Sequence, residues 1–344
     1  MANITLLHWN VQTFSNNKLN NANGQALIDY MAEIVRLSGA NIISLLELKN
    51  SAVNGIVAQL IPAINLANGA IGPNQWQAIY INSQKNNEAY VVLYQLGNNF
   101  VPLAPAVGGG AIPINGLTNQ TLLGGVTPGG VLQFNSSLTK NGGRRPYYVA
   151  FRTTDTNNNF SIVTYHTMFG YWSGVGVRSA GRLAQSRAIL DAGVTVNMDA
   201  SLTTGDFNVD FDPLVPGDYF NLLNVVPSSQ STNERTSLVT RTPAAGYPTS
   251  IQYRANAYDN IFKFNRGGLP PAGGGVVVDL IDDSTTIVGG GSGVMAAEAG
   301  AFVRGPISQG HLIVNIPPDD FEDAWHIVRH AISDHLPVFV TVAI

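Results

Sequence analysis

The apolar positions begin as a short run over residues 4–10 that ends in polar residues and predicts a buried strand. Leu27, Met31, Ile34 and Val35 follow at helical spacing, and Ser38-Gly39 mark the stop. Residues 41–46 form a second buried run, so the chain opens as strand, helix, strand and predicts a layered α/β fold. Residues 52–60 predict another helix, stopped near Pro62. The segments 76–81, 88–95, 146–152 and 160–166 carry the aromatic and β-branched residues of strands. Between them, residues 107–143 are rich in Gly, Pro, Asn and Thr and predict surface loop or a small hairpin excursion.

The second half repeats the alternation. A helix is expected over about 178–192, with Leu183, Ile189 and Leu190 toward the core. Strand, helix and strand then recur through 201–207, 218–223 and 251–264. Glycines at 267–275 and 289–293 bracket a second loop-rich insertion. Pro317-Pro318 and Asp319-Asp320 open a helix over 321–330, and 336–344 is the last strand. There is no internal repeat, and the Gly-rich blocks lack the strand-first spacing of a phosphate-binding loop.

Composition narrows the chemistry. With no cysteine, disulfide frameworks, cysteine-ligated metal sites and thiol nucleophiles are excluded. Only 12% of residues are charged and the net charge is -4, so a broad basic face for polyanions is absent. Any polyanionic partner must be held by local groups. No apolar run approaches the length of a membrane span, so no membrane partner is expected. No basic start followed by an apolar stretch is visible, and the expectation is a cytoplasmic chain or one exported without a signal.

The informative feature is a polar residue at the end of one strand after another. Asn10, Glu47, His166, and Asp206 with Asn208 each close a buried run; Asp259 lies within Ala257-Tyr258-Asp259-Asn260-Ile261, and Asp334-His335 precede the last strand. A charged residue at the end of an apolar strand loses hydration unless something compensates it. Carboxylates and amides gathered at one sheet edge suit a hard cation such as Mg²⁺. Two histidines nearby supply proton transfer near neutral pH.

That ordered set resembles the endonuclease/exonuclease/phosphatase superfamily over nearly the whole chain, from Asn10 to His335. Within it the deoxyribonuclease I branch is most similar. The resemblance rests on Asn10-Val11-Gln12-Thr13-Phe14, Glu47-Leu48-Lys49-Asn50-Ser51, Gly205-Asp206-Phe207-Asn208, Ala257-Tyr258-Asp259-Asn260-Ile261 and Ser333-Asp334-His335-Leu336-Pro337. Arg144-Arg145-Pro146 and Glu88-Ala89-Tyr90 match places in that branch as well. The branch's disulfides are missing, a tyrosine it usually carries stands as Asn86, and the two Gly-rich insertions are extra.

The resemblance implies a four-layer α/β sandwich, two mixed sheets packed face to face with helices outside. It implies one domain over 1–344 with insertions near 101–143 and 267–316, because Asn10 and His335 must meet. Glu47, Asn10 and Asp334 would ligate Mg²⁺, with Mn²⁺ or Ca²⁺ as alternatives. Asp206 and Asn208 would align water and phosphate. His166 and His335 would flank the phosphate, partnered by Glu88 and Asp259 respectively, with base and acid left unassigned. Arg144, Arg145, Lys49 and Arg178 are candidates for flanking phosphates, with ordinary surface charge as the competing role. Tyr171 and Trp172 could lie near substrate or pack inside, and His326 with His330 fit surface or packing roles.

The expected activity is a Mg²⁺-dependent DNA endonuclease of low sequence specificity, leaving 5′-phosphate ends on double-stranded DNA and acting as a monomer. A phosphomonoesterase or phospholipase C-type hydrolase of inositol phosphate or sphingomyelin is the alternative on the same scaffold. An inactive binding module is the alternative of another class. A nuclease toxic to its own cell would call for an inhibitor or immunity protein, which no motif reveals.

Overall fold

The structure is a computed structural model. It describes residues 2–20, 24–82, 88–103, 117–121, 129–134, 144, 146–167, 182, 185–186, 189, 198–209, 229–230, 232, 234–238, 254–265, 274–278, 280 and 328–344. The expected elements at 218–223 and 321–327 lie outside these residues, as does most of both Gly-rich insertions.

Two mixed sheets form the centre. The first contains β1 (Asn3–Phe14), β2 (Ile42–Lys49), β3 (Trp76–Asn82), β4 (Glu88–Gln95), β13 (Gly275–Val277) and β14 (Val338–Ala343), in the order β13-β14-β1-β2-β4-β3. The second contains β5 (Phe100–Pro102), β6 (Leu117–Thr121), β7 (Gly129–Phe134), β8 (Tyr147–Thr153), β9 (Asn159–His166), β10 (Ala200–Asp206), β11 (Ser229–Gln230) and β12 (Asp259–Asn265). Its order is β11-β12-β10-β9-β8-β7-β6, with β5 paired to β8. Within the first Gly-rich stretch the described residues form β6 and β7, which pair antiparallel as the expected hairpin excursion would.

The central strands are covered on both faces, which is why they read as unbroken apolar runs. Along β1, both Leu6 and Leu7 are fully buried, and so are Trp9 and Val11. Between the sheets, β1 lies against β10 and β12, and β2 against β9. Ser44 of β2 and Thr164 of β9 share a buried hydroxyl hydrogen bond of 2.9 Å across that interface. Each hydroxyl satisfies the other where water cannot reach.

Helix α1 (Asn16–Asn20), helix α2 (Gly24–Ser38) and helix α3 (Val53–Ala67) pack together against the first sheet. α2 buries Leu27, Met31, Ile34 and Val35 and ends at Gly39, whose φ of 63° makes the left-handed turn that closes a helix. α3 corrects the expected stop near Pro62, which lies inside the helix. Proline removes one ladder bond, but Leu60 and Ile64 on either side of it are buried, and that packing carries the helix through. Against the second sheet, Arg182, Gln185, Ser186 and Ile189 are helical, as expected over 178–192. Gln185 accepts a buried hydrogen bond from the Tyr165 hydroxyl of β9 at 3.2 Å. The last strand is preceded by a π-helical turn, Val328–Ile332, in place of a plain α-helical end.

Candidate active site

Strand polarity gathers the polar residues. β1 and β2 are parallel, as are β9 and β10, so Asn10, Glu47, His166 and Asp206 all lie at carboxyl ends. β4, β12 and β14 run antiparallel to β2, β10 and β1, which brings Glu88, Asp259 and the segment Asp334-His335 to the same edge. In the second sheet Asp206 stands level with His166 on one side and with Asp259 on the other.

Asp206 is the hub. Its Oδ2 accepts a hydrogen bond from Asn10 Nδ2 at 3.1 Å. The same oxygen lies 3.4 Å from Nε2 of His166 and 3.6 Å from Nε2 of His335. Its Oδ1 accepts the backbone N–H of Asn208 at 2.9 Å, and Asn208 donates its own amide to the carbonyl of Thr167 at 2.8 Å. Burial raises the Asp206 carboxyl above its ordinary value, against the pull of both imidazoles.

His335 is set by Asp259. Its Nδ1 lies 2.6 Å from Asp259 Oδ2, which also accepts the Thr236 hydroxyl at 2.8 Å. Burial works against a charge on His335, but Asp259 and Asp206 outweigh it and lift its pKa well above 6.5. Burial would likewise raise Asp259, yet His335 holds it far below the usual carboxylate range. The loop bearing His335 is tied to β1. Ser333 Oγ donates to the carbonyl of Asn10 at 2.5 Å, and the Trp9 indole donates to the carbonyl of His335 at 3.1 Å.

Asn10 and Glu47 are aimed by matched irregularities. The pairing of β1 with β2 shifts between Asn10 and Phe14, and that of β2 with β4 between Leu45 and Leu48. Glu47 takes a left-handed backbone with φ 63°, as do Gln12 and Thr13 at 37° and 50°. Such conformations cost on the order of 1–3 kcal/mol each and collect at functional sites. Glu47 accepts from Asn10 Nδ2 at 3.2 Å and from the Thr13 N–H at 3.0 Å. Burial would raise its carboxyl, but His166 and His335 hold it below its ordinary value.

The oxygens of Glu47, Asn10 and Asp334 suit a hard divalent cation. Glu47 also accepts from the Thr13 hydroxyl at 3.4 Å and still keeps lone-pair capacity beyond these three donors. Asp334 is a quarter exposed, and the Arg329 and His335 nitrogens near it stand at 3.9 Å and 3.8 Å. A second grouping, Asp206, Asp259 and His335, has ligand atoms within 4.8 Å of one another. There, however, Asp259 and His335 already face each other in a hydrogen bond.

Glu88 and Arg144 form a buried ion pair of 2.5 Å, and Glu88 Oε2 lies 3.5 Å from Nδ1 of His166. Arg144 also donates to the Thr167 carbonyl at 3.3 Å. The guanidinium expected on a flanking phosphate is therefore drawn inward and steadies the partner of His166. Lys49 is half-buried and stands level with Glu88 across β2 and β4. Arg145, Arg178, Tyr171, Trp172, His326 and Asn86 lie outside the described residues, and His330 falls in the π-helical turn.

Three participants were not anticipated. Thr236 holds Asp259, and His8 stands behind it. Lys18 of α1 donates to the carbonyls of Val11 and Gln12, both at 3.2 Å, and to that of Ile332. This clasp joins the end of β1 to the segment before Asp334. Burial pushes the Lys18 ammonium down to about 8, opposed by Asp334 and Glu47. A lysine surrounded by asparagines carries no local mark of such a role.

No protein-family profile matches the sequence, and no curated protein matches it. Solved structures do match in fold. The endonuclease/exonuclease/phosphatase from Bacteroides vulgatus aligns at TM-score 0.55 and 12% identity, covering 100% of each chain. A mannosyl-6-phosphatase from Bacteroides thetaiotaomicron aligns at TM-score 0.50 and 12% identity, over 99% of this chain and 100% of that one. D. rerio TDP2, complexed with single strand DNA product, aligns at TM-score 0.51 and 11% identity, over 99% of both chains. The fold of this chain is that of the endonuclease/exonuclease/phosphatase proteins.

Proposed function

We propose that this chain is a divalent-metal-dependent phosphoesterase of the endonuclease/exonuclease/phosphatase superfamily, and that its substrate is DNA. The observation that carries this reading is the convergence of two imidazole Nε2 atoms on one carboxylate oxygen of Asp206, beside the oxygen donors of Glu47 and Asn10. A phosphate needs such a place: donors for its oxygens, a group to take a proton from water, and ligands for a neutralising cation.

In this reading Glu47, Asn10 and Asp334 hold the cation. When bound, Mg²⁺ polarises a phosphate oxygen and offsets charge developing on the leaving oxygen. His335, kept protonated by Asp259 and Asp206, donates from Nε2 to a phosphate oxygen. Asp206, with its raised affinity for a proton, orients the attacking water and takes its proton, with His166 alongside. Asn208 and Asn10 fix the Asp206 carboxylate, and Glu88 with Arg144 fixes His166. Hydrolysis by direct attack of water follows from this set, since no nucleophile for a covalent intermediate is needed.

DNA is favoured by the segments similar to the deoxyribonuclease I branch and by the DNA product carried by the TDP2 neighbour. A second reading, hydrolysis of a small phosphomonoester, is favoured by the net charge of -4 and by the mannosyl-6-phosphatase neighbour. Supercoiled plasmid and mannose 6-phosphate, each incubated with Mg²⁺ or with EDTA, separate the two. Nicking that EDTA abolishes is the expected result. Phosphate release from the sugar without nicking transfers the assignment to the second reading, and neither activity overturns both.

A further inference from the structure

His8 lies on β1 two positions before Asn10, fully buried. Its Nε2 is 3.4 Å from Oδ1 of Asp259, and both side chains are wholly enclosed. Neither atom makes a hydrogen bond in its present orientation, so two buried polar atoms face each other a small ring rotation short of bonding. The other Asp259 oxygen is occupied by Nδ1 of His335 and by the Thr236 hydroxyl. Asp259 is thus flanked by an imidazole on each side, one from the first strand and one from the segment before the last.

A core position on a strand of this kind ordinarily takes an aliphatic residue, as Leu6 and Leu7 do beside it. An imidazole there is costly unless something accepts from it. Among the described residues, the partner the geometry offers Nε2 of His8 is Asp259.

We infer that His8 is a positioning residue for the Asp259–His335 pair, donating from Nε2 to Oδ1 of Asp259 and thereby keeping Oδ2 turned toward His335. A carboxylate held at one oxygen can swing about its Cβ–Cγ bond. One held at both oxygens fixes the tautomer and plane of its histidine partner, as outer partners do for metal-bound imidazoles. His335 then presents Nε2 to Asp206 and the phosphate site. The kinetic consequence rests on the phosphoesterase reading above. The geometric consequence stands apart from it.

The test combines both. In His8→Phe, kcat for bis(p-nitrophenyl) phosphate with Mg²⁺ is expected to fall about 10- to 100-fold with KM nearly unchanged. The low-field proton of the His335 Nδ1–H, identified by its loss in His335→Gln, is expected to move or broaden in the same variant. His8→Gln places an amide N–H where the imidazole Nε2 stands and is expected to restore both signals. His8→Asn carries its amide nearer the backbone, at the place of Nδ1, and is expected to restore neither. These two polar variants decide the matter even where His8→Phe fails to fold. An unmoved proton in His8→Phe, or His8→Asn performing as well as His8→Gln, overturns the inference. Should the wild-type protein hydrolyse no phosphoester, the proton signals still decide whether His8 holds Asp259, while the functional reading alone falls.

Discussion

Nδ1 of His335 lies 2.6 Å from Oδ2 of Asp259, and the pair is almost sealed from water. Such a pair makes stability depend on pH with a definite sign. His335 has its folded pKa raised, so its contribution is complete below about 6.5 and is lost as pH climbs through the folded value. Asp259 has its folded pKa depressed, so its contribution is complete above its ordinary 3.8 and is lost as pH falls through the folded value. Asp206, raised by burial, adds to the loss with rising pH. Urea midpoints are therefore expected to fall as pH rises above about 6.5, and to fall less in His335→Gln. Equal slopes in the two proteins would falsify the assignment.

The Glu88–Arg144 pair predicts a different pattern. Arg144→Met leaves a buried carboxylate without its cation and is expected to lose about 3–5 kcal/mol of stability. Adding Glu88→Gln removes the stranded charge, so the double variant should be more stable than Arg144→Met alone. A double-mutant cycle by urea denaturation measures the coupling. Simple additivity would mean that the two side chains do not act as a pair.

Gly205 immediately precedes Asp206, and a Cβ there would meet the carbonyl oxygen of Tyr165 at 1.9 Å. In Gly205→Ala, β9 and β10 must part where His166 and Asp206 stand abreast. A misplacement of about 1 Å costs about 100-fold in rate, so activity is expected to fall at least that far, together with the melting temperature. Near-wild-type turnover in this variant is the contrary outcome.

Removal of metal and removal of the His166 imidazole should be separable. EDTA is expected to abolish phosphoester hydrolysis, with Mg²⁺ restoring it. Glu47→Gln is expected to raise the Mg²⁺ concentration for half-maximal activity about 10- to 100-fold. His166→Ala should lower kcat about 10²- to 10⁴-fold and move that concentration far less than Glu47→Gln does, since His166 stands 3.6 Å from Glu47 but is not itself a ligand in this reading. A metal titration of each variant is the measurement, and a shared shift in both would merge roles kept apart above.

Which of these features the sequence made legible depends on whether their cause is local. A polar residue closing an apolar strand is a local pattern, and Asn10, Glu47, His166 and Asp206 were readable for that reason. Their convergence follows from strand polarity, which alternating strands and helices predict. Pro62 misled because a helix breaker is a local signal, while the burial of Leu60 and Ile64 that overrides it is not. Arg144 was recognised as part of the site but not as inward-facing, since its partner lies 56 residues away. Lys18 and His8 escaped for the same reason: Lys18 reaches across 314 residues to Ile332, and His8 reaches Asp259 on another sheet.

The pairing of β1 with β14 has a consequence for how the protein is made. Asn10 leaves the ribosome more than 300 residues ahead of Asp334 and His335, which come just before the strand that pairs with β1. No nascent segment shorter than that holds both halves of the candidate site. The candidate site therefore stays incomplete over that stretch of synthesis and closes only when β1 and β14 zip together.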